Sequence, residues 1–151
     1  MKNFLLAIIS FFLLFTSISF ADEFSDQAKV TLKALQKVNS STSLSYAQFM
    51  EALSDSETEV DILNRIWGGD FKNGYQSGCY TATVSCFYDY KFAGSSWKSE
   101  IESRKEADTY RSVKFLDFAR DDMLKKYDFW KKGDEKLDKA YKVCVPPNKN
   151  K

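Results

Sequence analysis

Residues 75–93, YQSGCYTATVSCFYDYKFA, decide the fold, because they satisfy two periodicities at once. With period two, Tyr80, Ala82, Val84, Cys86, Tyr88, Tyr90 and Phe92 fall on one face and Thr81, Thr83, Ser85, Asp89 and Lys91 on the other, with Phe87 the exception. That is a strand pattern. With helical spacing, Tyr75, Cys79, Ala82, Cys86, Tyr90, Ala93 and Trp97 recur at intervals of four, three, four, four, three and four. Pairing arbitrates between the two. A strand must find a partner, this run holds no internal turn on which to fold back, and no second comparable strand pattern follows the leader. Residues 75–93 are therefore read as helix, and the domain as mainly α.

The neighbouring segments agree. Upstream, Phe24, Ala28, Leu32, Leu35 and Val38 share one side of a helical pattern, with Lys29, Lys33 and Lys37 on the other. Asn39 to Ser43 has turn composition, and Asn39-Ser40-Ser41 matches the N-glycosylation pattern, which matters only in a eukaryotic secretory route. Ser45 and Gln48 form a capping box, with Leu44 and Phe49 at the staple positions. The stripe continues through Leu53, Val60, Leu63 and Trp67 to a stop at Gly68-Gly69, and the polar middle predicts a kink or break near Ser54 to Ser56. Downstream, Gly94-Ser95-Ser96 reads as an interruption. Trp97 to Trp130, without Gly or Pro, reads as one long helix or two abutting ones, with Gly133 as its end. A short helix from Asp134 to Val143 then delivers Cys144, and Pro146-Pro147 closes the fold. The expected architecture is a compact single-domain bundle of four to five helices spanning 22–147, with a solvated tail at 148–151.

The chain opens with Lys2, an apolar run from Phe4 through Phe15, and small residues at Ser19 and Ala21 before acidic Asp22 and Glu23. That layout predicts a signal peptide over 1–21. Its apolar core is too short for a stable bilayer anchor, and no later stretch approaches ~20 apolar residues. The expected location is the periplasm or the extracellular space, with no stable membrane anchor after cleavage.

Export implies an oxidising compartment in which a disulfide persists. Cys79 and Cys86 are separated by about 10 Å along a helix, beyond the ~7 Å reach of a bridge, so Cys144 must be one partner. Either Cys79 or Cys86 can be the other. The remaining thiol is expected to be buried.

The 151 residues contain no histidine, which excludes Ser-His-Asp and Cys-His nucleophiles and histidine-ligated metal sites. Loss of Lys2 with the leader makes the basic and acidic counts equal, so no cationic excess exists to bind nucleic acid. The alternating acids Asp55, Glu57, Glu59 and Asp61 suggest a calcium loop, but Val60 stands where the turn glycine is needed and Ile66 where the bidentate glutamate is needed. No cofactor or metal is expected. Carboxylate-only hydrolysis survives these exclusions, although no acid pair stands out.

Four of the eight tyrosines, Tyr75, Tyr80, Tyr88 and Tyr90, lie in the deciding segment, between Trp67 and Trp97. Tyrosine contributes contact area with a polar tip, so these four form a candidate aromatic binding patch, set against an ordinary role as core. The expectation is a small exported module that binds another protein without catalysis: an inhibitor, immunity or accessory factor. The alternatives are a carboxylate hydrolase acting on cell-wall or glycan substrate, and a structural envelope protein. An export signal, Gly74-Tyr75-Gln76-Ser77-Gly78 opening a helix, and a cysteine ending the last helix together resemble periplasmic immunity proteins against secreted amidase effectors. That likeness spans a handful of residues and assigns no family.

Overall fold

The structure, a computed structural model, describes residues 23–43, 45–68 and 74–145. The expected leader with its cleavage point, the staple residue Leu44, Pro146-Pro147 and the tail at 148–151 lie outside the described residues. Helix α1 covers residues 23–40, and a single 3-10 turn, Ser41–Ser43, follows it. Helix α2 is Tyr46–Trp67, α3 is Gly74–Tyr110 and α4 is Val113–Cys144. The described residues include no strand, and the four helices pack as one helical domain with a single disulfide.

Local chemistry sets the first two helices. The α1 stripe Phe24, Ala28, Leu32, Leu35 and Val38 is buried throughout. Thr31 is buried beside it because its hydroxyl donates to the Gln27 carbonyl at 2.9 Å, satisfying the polar atom locally. At the start of α2, Ser45 Oγ accepts from the Gln48 N–H at 3.3 Å, and Gln48 Oε1 accepts from the Ser45 N–H at 3.1 Å. Gly68, at φ 60°, ends the helix and donates its N–H to the Asn64 carbonyl. The expected break at Ser54 to Ser56 is absent. Ser56 is buried, and its hydroxyl donates to the Leu53 carbonyl at 2.8 Å, so α2 runs through without an unpaired group.

Contacts fix the topology as antiparallel neighbours. Phe24 of α1 packs on Trp67 at the end of α2 at 5.3 Å, and Gln27 donates to Glu59. Trp67 stacks on Tyr80 of α3 at 5.0 Å, whereas Tyr46, at the other end of α2, meets Trp97 at 5.5 Å. Helices α3 and α4 are tied by Cys79–Cys144 near one end and by Ser99–Asp122 much farther along.

Two expected helix boundaries are corrected. Helix α3 continues through Gly94-Ser95-Ser96, and α4 continues through Gly133, so the expected short helix Asp134–Val143 is the last third of α4. Both glycines serve close approach. A Cβ on Gly94 would lie 3.0 Å from Phe49 Cε1, and one on Gly133 would lie 2.7 Å from Tyr90 Cε1. The real break between the long helices is Arg111-Ser112, with Arg111 at φ 49°.

The helices differ in length, and the difference shapes the molecule. At 1.5 Å per residue α3 is about 55 Å long and α2 about 33 Å, so the α3–α4 hairpin outruns its cover. Phe49 of α2 is the last large side chain lying over both Trp97 and Trp130, at 5.6 and 5.8 Å. Between 101 and 125 only Ala107 and Ala119 are buried, so the end of the hairpin projects as two helices held by small residues.

Candidate interaction surfaces

The disulfide joins Cys79 to Cys144, with Cα atoms 4.9 Å apart, and Cys86 is the buried free thiol. The bridge fastens the end of α4 to the second turn of α3. Tyr75 reinforces this junction by donating its hydroxyl to the Cys144 carbonyl at 2.7 Å, while its ring stays 41% exposed.

The four candidate tyrosines do not share one face. At 100° per residue Tyr75 and Tyr90 project within about 60° of each other, while Tyr80 and Tyr88 lie about 140° and 220° from Tyr75. Tyr80 is half-buried, stacked on Trp67, and donates to Asn64 Oδ1 at 2.8 Å. Tyr90 is fully buried and is corrected from binding candidate to core: its hydroxyl donates to Asp134 at 2.8 Å and accepts from Asn39. Asn39, matched above to a glycosylation pattern, is half-buried and occupied by this bond. Tyr88 is 51% exposed.

Tyr88 has a companion that the sequence reading missed. Phe92, four residues on and 53% exposed, occupies the same helix face and packs at 5.3 Å on Phe129 of α4. Lys132 Nζ lies 5.3 Å above the Phe129 ring, and Lys91, ion-paired to Glu57, lies over Phe87. Tyr88, Phe92 and Phe129 thus form an aromatic strip on a disulfide-fastened pair of helices, edged by the Lys91–Glu57 and Lys132–Asp128 ion pairs. The spacing of Tyr88 and Phe92 was open to sequence reasoning once the segment was taken as helix; the arrival of Phe129 depended on the register of α4.

The buried charged groups are internally matched, whereas the buried Trp130 Nε1 has no hydrogen-bond partner among the described residues. Lys126 Nζ meets Glu100 Oε2 at 2.7 Å inside a ring of Trp97, Tyr127 and Trp130, with Arg104 on the other Glu100 oxygen at 3.0 Å. Asp89 is paired with Lys136 at 2.6 Å. Burial holds the Asp134 carboxyl above its ordinary range, against the downward pull of the Tyr90 hydrogen bond. Burial also pushes the Cys86 thiol far up, and its Sγ donates to the Gly133 carbonyl at 3.3 Å, so it is a poor nucleophile. In the acidic run of α2, Glu57 pairs with Lys91 and Glu59 accepts from Gln27, while Asp55 lines a surface groove beside Lys33 and Lys37.

Comparison with known proteins finds no matching family model, no matching curated protein and no matching solved structure. Among the described residues no helix is long and apolar enough to cross a membrane. The disulfide is compatible with an oxidising compartment.

Proposed function

We propose that the protein is an exported, non-enzymatic protein-binding module that engages its partner through Tyr88, Phe92 and Phe129. The carrying observation is the exposure of Tyr88 and Phe92 side by side, with Phe92 packed on Phe129. Aromatic side chains held on rigid helices give contact area at small entropic cost, and such anchors concentrate binding energy. The flanking Lys91–Glu57 and Lys132–Asp128 ion pairs supply a polar rim. An inhibitor, immunity or accessory role fits this design. Carboxylate hydrolysis fits less well, because it needs an acid pair facing a cleft, and Glu100 and Asp89 are spent on Lys126 and Lys136 inside the bundle.

The test is capture from the native envelope with immobilised protein. A partner retained in stoichiometric amount by the wild type should bind Phe92→Ala about 30-fold more weakly, the equivalent of about 2 kcal/mol. Circular dichroism should be unchanged. Equal retention by wild type, Tyr88→Ala and Phe92→Ala would remove this surface from consideration. Intact mass of the envelope-derived protein tests export separately: a chain beginning near Asp22 is expected, and recovery of uncleaved chain contradicts it.

A further inference from the structure

We propose that the groove between α3 and α4 on the side of Ser77, Thr81 and Ser85 binds a glycan strand carrying a carboxylate. The site goes beyond the protein-binding strip and stands apart from Phe92 and Phe129. The groove has a volume of 340 Å³, within the ~300–1,000 Å³ range of small-ligand sites, and these three residues form its α3 wall. At 100° per residue they fall within an arc of about 80°, and their spacing of four residues sets neighbouring hydroxyls about 6 Å apart in a row. Gly78 and Ala82, beside the row, leave the floor open for a ligand to approach the helix backbone. Among the described residues none of the three hydroxyls makes a hydrogen bond. Thr83, buried on the core side of the same helix, instead donates to the Cys79 carbonyl at 2.9 Å.

The row selects a saccharide. Each Ser or Thr hydroxyl donates one hydrogen bond and accepts up to two, and sugar hydroxyls have the same double character. An inorganic anion would use the donors alone. Tyr88 lies inside the same arc at the end of the row, 51% exposed, and offers a ring face on which the C–H face of a pyranose packs. The charge around the row is sparse. From Gly74 to Tyr88 helix α3 carries no charged side chain. On the α4 wall Lys136 is paired with the buried Asp89 at 2.6 Å, and Lys139 enters no ion pair among the described residues. One unmatched ammonium is complementary to a single carboxylate on a largely neutral strand, and not to a densely charged polyanion.

Isothermal titration of the exported protein with a hyaluronan hexasaccharide, which carries a carboxylate on every second ring, tests the site. Saturable binding is expected. Thr81→Val with Ser85→Ala removes two hydroxyls and should weaken it about tenfold. Lys139→Gln should weaken it about threefold, the scale of an exposed charge pair. These residues lie outside the core, so circular dichroism and melting temperature should not change. A neutral N-acetylglucosamine hexamer should bind more weakly than hyaluronan and should be indifferent to Lys139→Gln. Phe92→Ala should leave saccharide binding intact, which separates failure of this site from failure of the partner-binding strip. Absence of saturable binding by both saccharides overturns the proposal, as does binding insensitive to the double hydroxyl change. Equal binding of the charged and the neutral hexasaccharide overturns the carboxylate assignment. Polyglutamate or inorganic phosphate that binds as tightly as hyaluronan overturns the glycan, and gives the groove to an acidic peptide or to a simple anion.

Discussion

The backbone of Gly133 lies so close beneath Tyr90 that a Cβ there would stand 2.7 Å from Cε1 and 2.9 Å from Cδ1 of the ring. The ring cannot retreat easily, because it is fully buried and its hydroxyl is held by Asp134 and Asn39. This contact lets α3 and α4 approach at the centre of the molecule, and it explains a glycine inside a helix.

Gly133→Ala should therefore destabilise the fold, although alanine in an unconstrained helix gains about 1 kcal/mol over glycine. Overpacking of a filled core costs about 1–3 kcal/mol, so a net loss of up to about 2 kcal/mol is expected from urea unfolding. Gly78→Ala is the control. Its new methyl would meet only Val143 Cγ1, at an ordinary 3.5 Å, so that variant should hold or gain stability. A stabilised Gly133→Ala would refute the close-packing account.

The same pair shows what the sequence could and could not disclose. The α1 stripe, the Ser45–Gln48 box and the stop at Gly68 were legible because each depends on neighbours within a turn or two. Gly94 and Gly133 were misread as interruptions because a terminating glycine and a close-packing glycine look alike until the opposing side chain is known; among the described glycines only Gly68 has the left-handed φ of a stop. The true turn at Arg111-Ser112 uses a non-glycine residue at positive φ, which composition does not flag. The misplacement of Tyr90 was avoidable. The helical stripe that argued for helix runs through Cys79, Ala82, Cys86, Tyr90 and Ala93, all buried, and so already assigned Tyr90 to the core. Phe92 fell off that stripe and was exposed for the same reason.

The bridge closes a loop with a sequence separation of 65, which on the chain-entropy model corresponds to about 4 kcal/mol of constraint on the unfolded chain. Cys144→Ser should lower the denaturation midpoint accordingly, and reduction of the wild type should match it. Thiol titration in denaturant checks the pairing: one reactive thiol before reduction and three after it are expected. Three thiols in the unreduced protein would show that the bridge does not form.

Lys126 is 5% exposed, and its ammonium is held by Glu100 and three aromatic rings. Removing one partner of a buried pair strands the other charge, so Lys126→Ala should cost about 3 kcal/mol, eased by Arg104 on the second Glu100 oxygen. Lys126→Met with Glu100→Gln keeps the shape and removes both charges, and it should cost clearly less than Lys126→Ala. If the double variant is as unstable as the single one, stranded charge is not the cause.

Stability should fall in alkali, and the order of events identifies the groups. The Cys86 thiol, ordinarily at 9.0, is raised chiefly by burial and further by Asp89 and Asp134. The Tyr90 phenol, ordinarily at 10.0, is also raised chiefly by burial, then by Cys86 and Asp134. In the unfolded chain both titrate at their ordinary values, so between those values and the raised ones the folded protein holds protons that the unfolded chain has lost. Their contribution is complete below pH 9, and it is lost as pH rises beyond that point. The slope should be about 1.4 kcal/mol per pH unit once the thiol titrates, and about twice that once the phenol joins. Urea unfolding at intervals from pH 8 to 11 should show the decline, and Cys86→Ala should flatten the first part while leaving the second. That variant also removes the thiolate that could exchange with the Cys79–Cys144 bridge in the unfolded chain. A wild type equally stable at pH 8 and 10.5 would mean that Cys86 and Tyr90 meet solvent more readily than their positions against Gly133 and Asp134 allow.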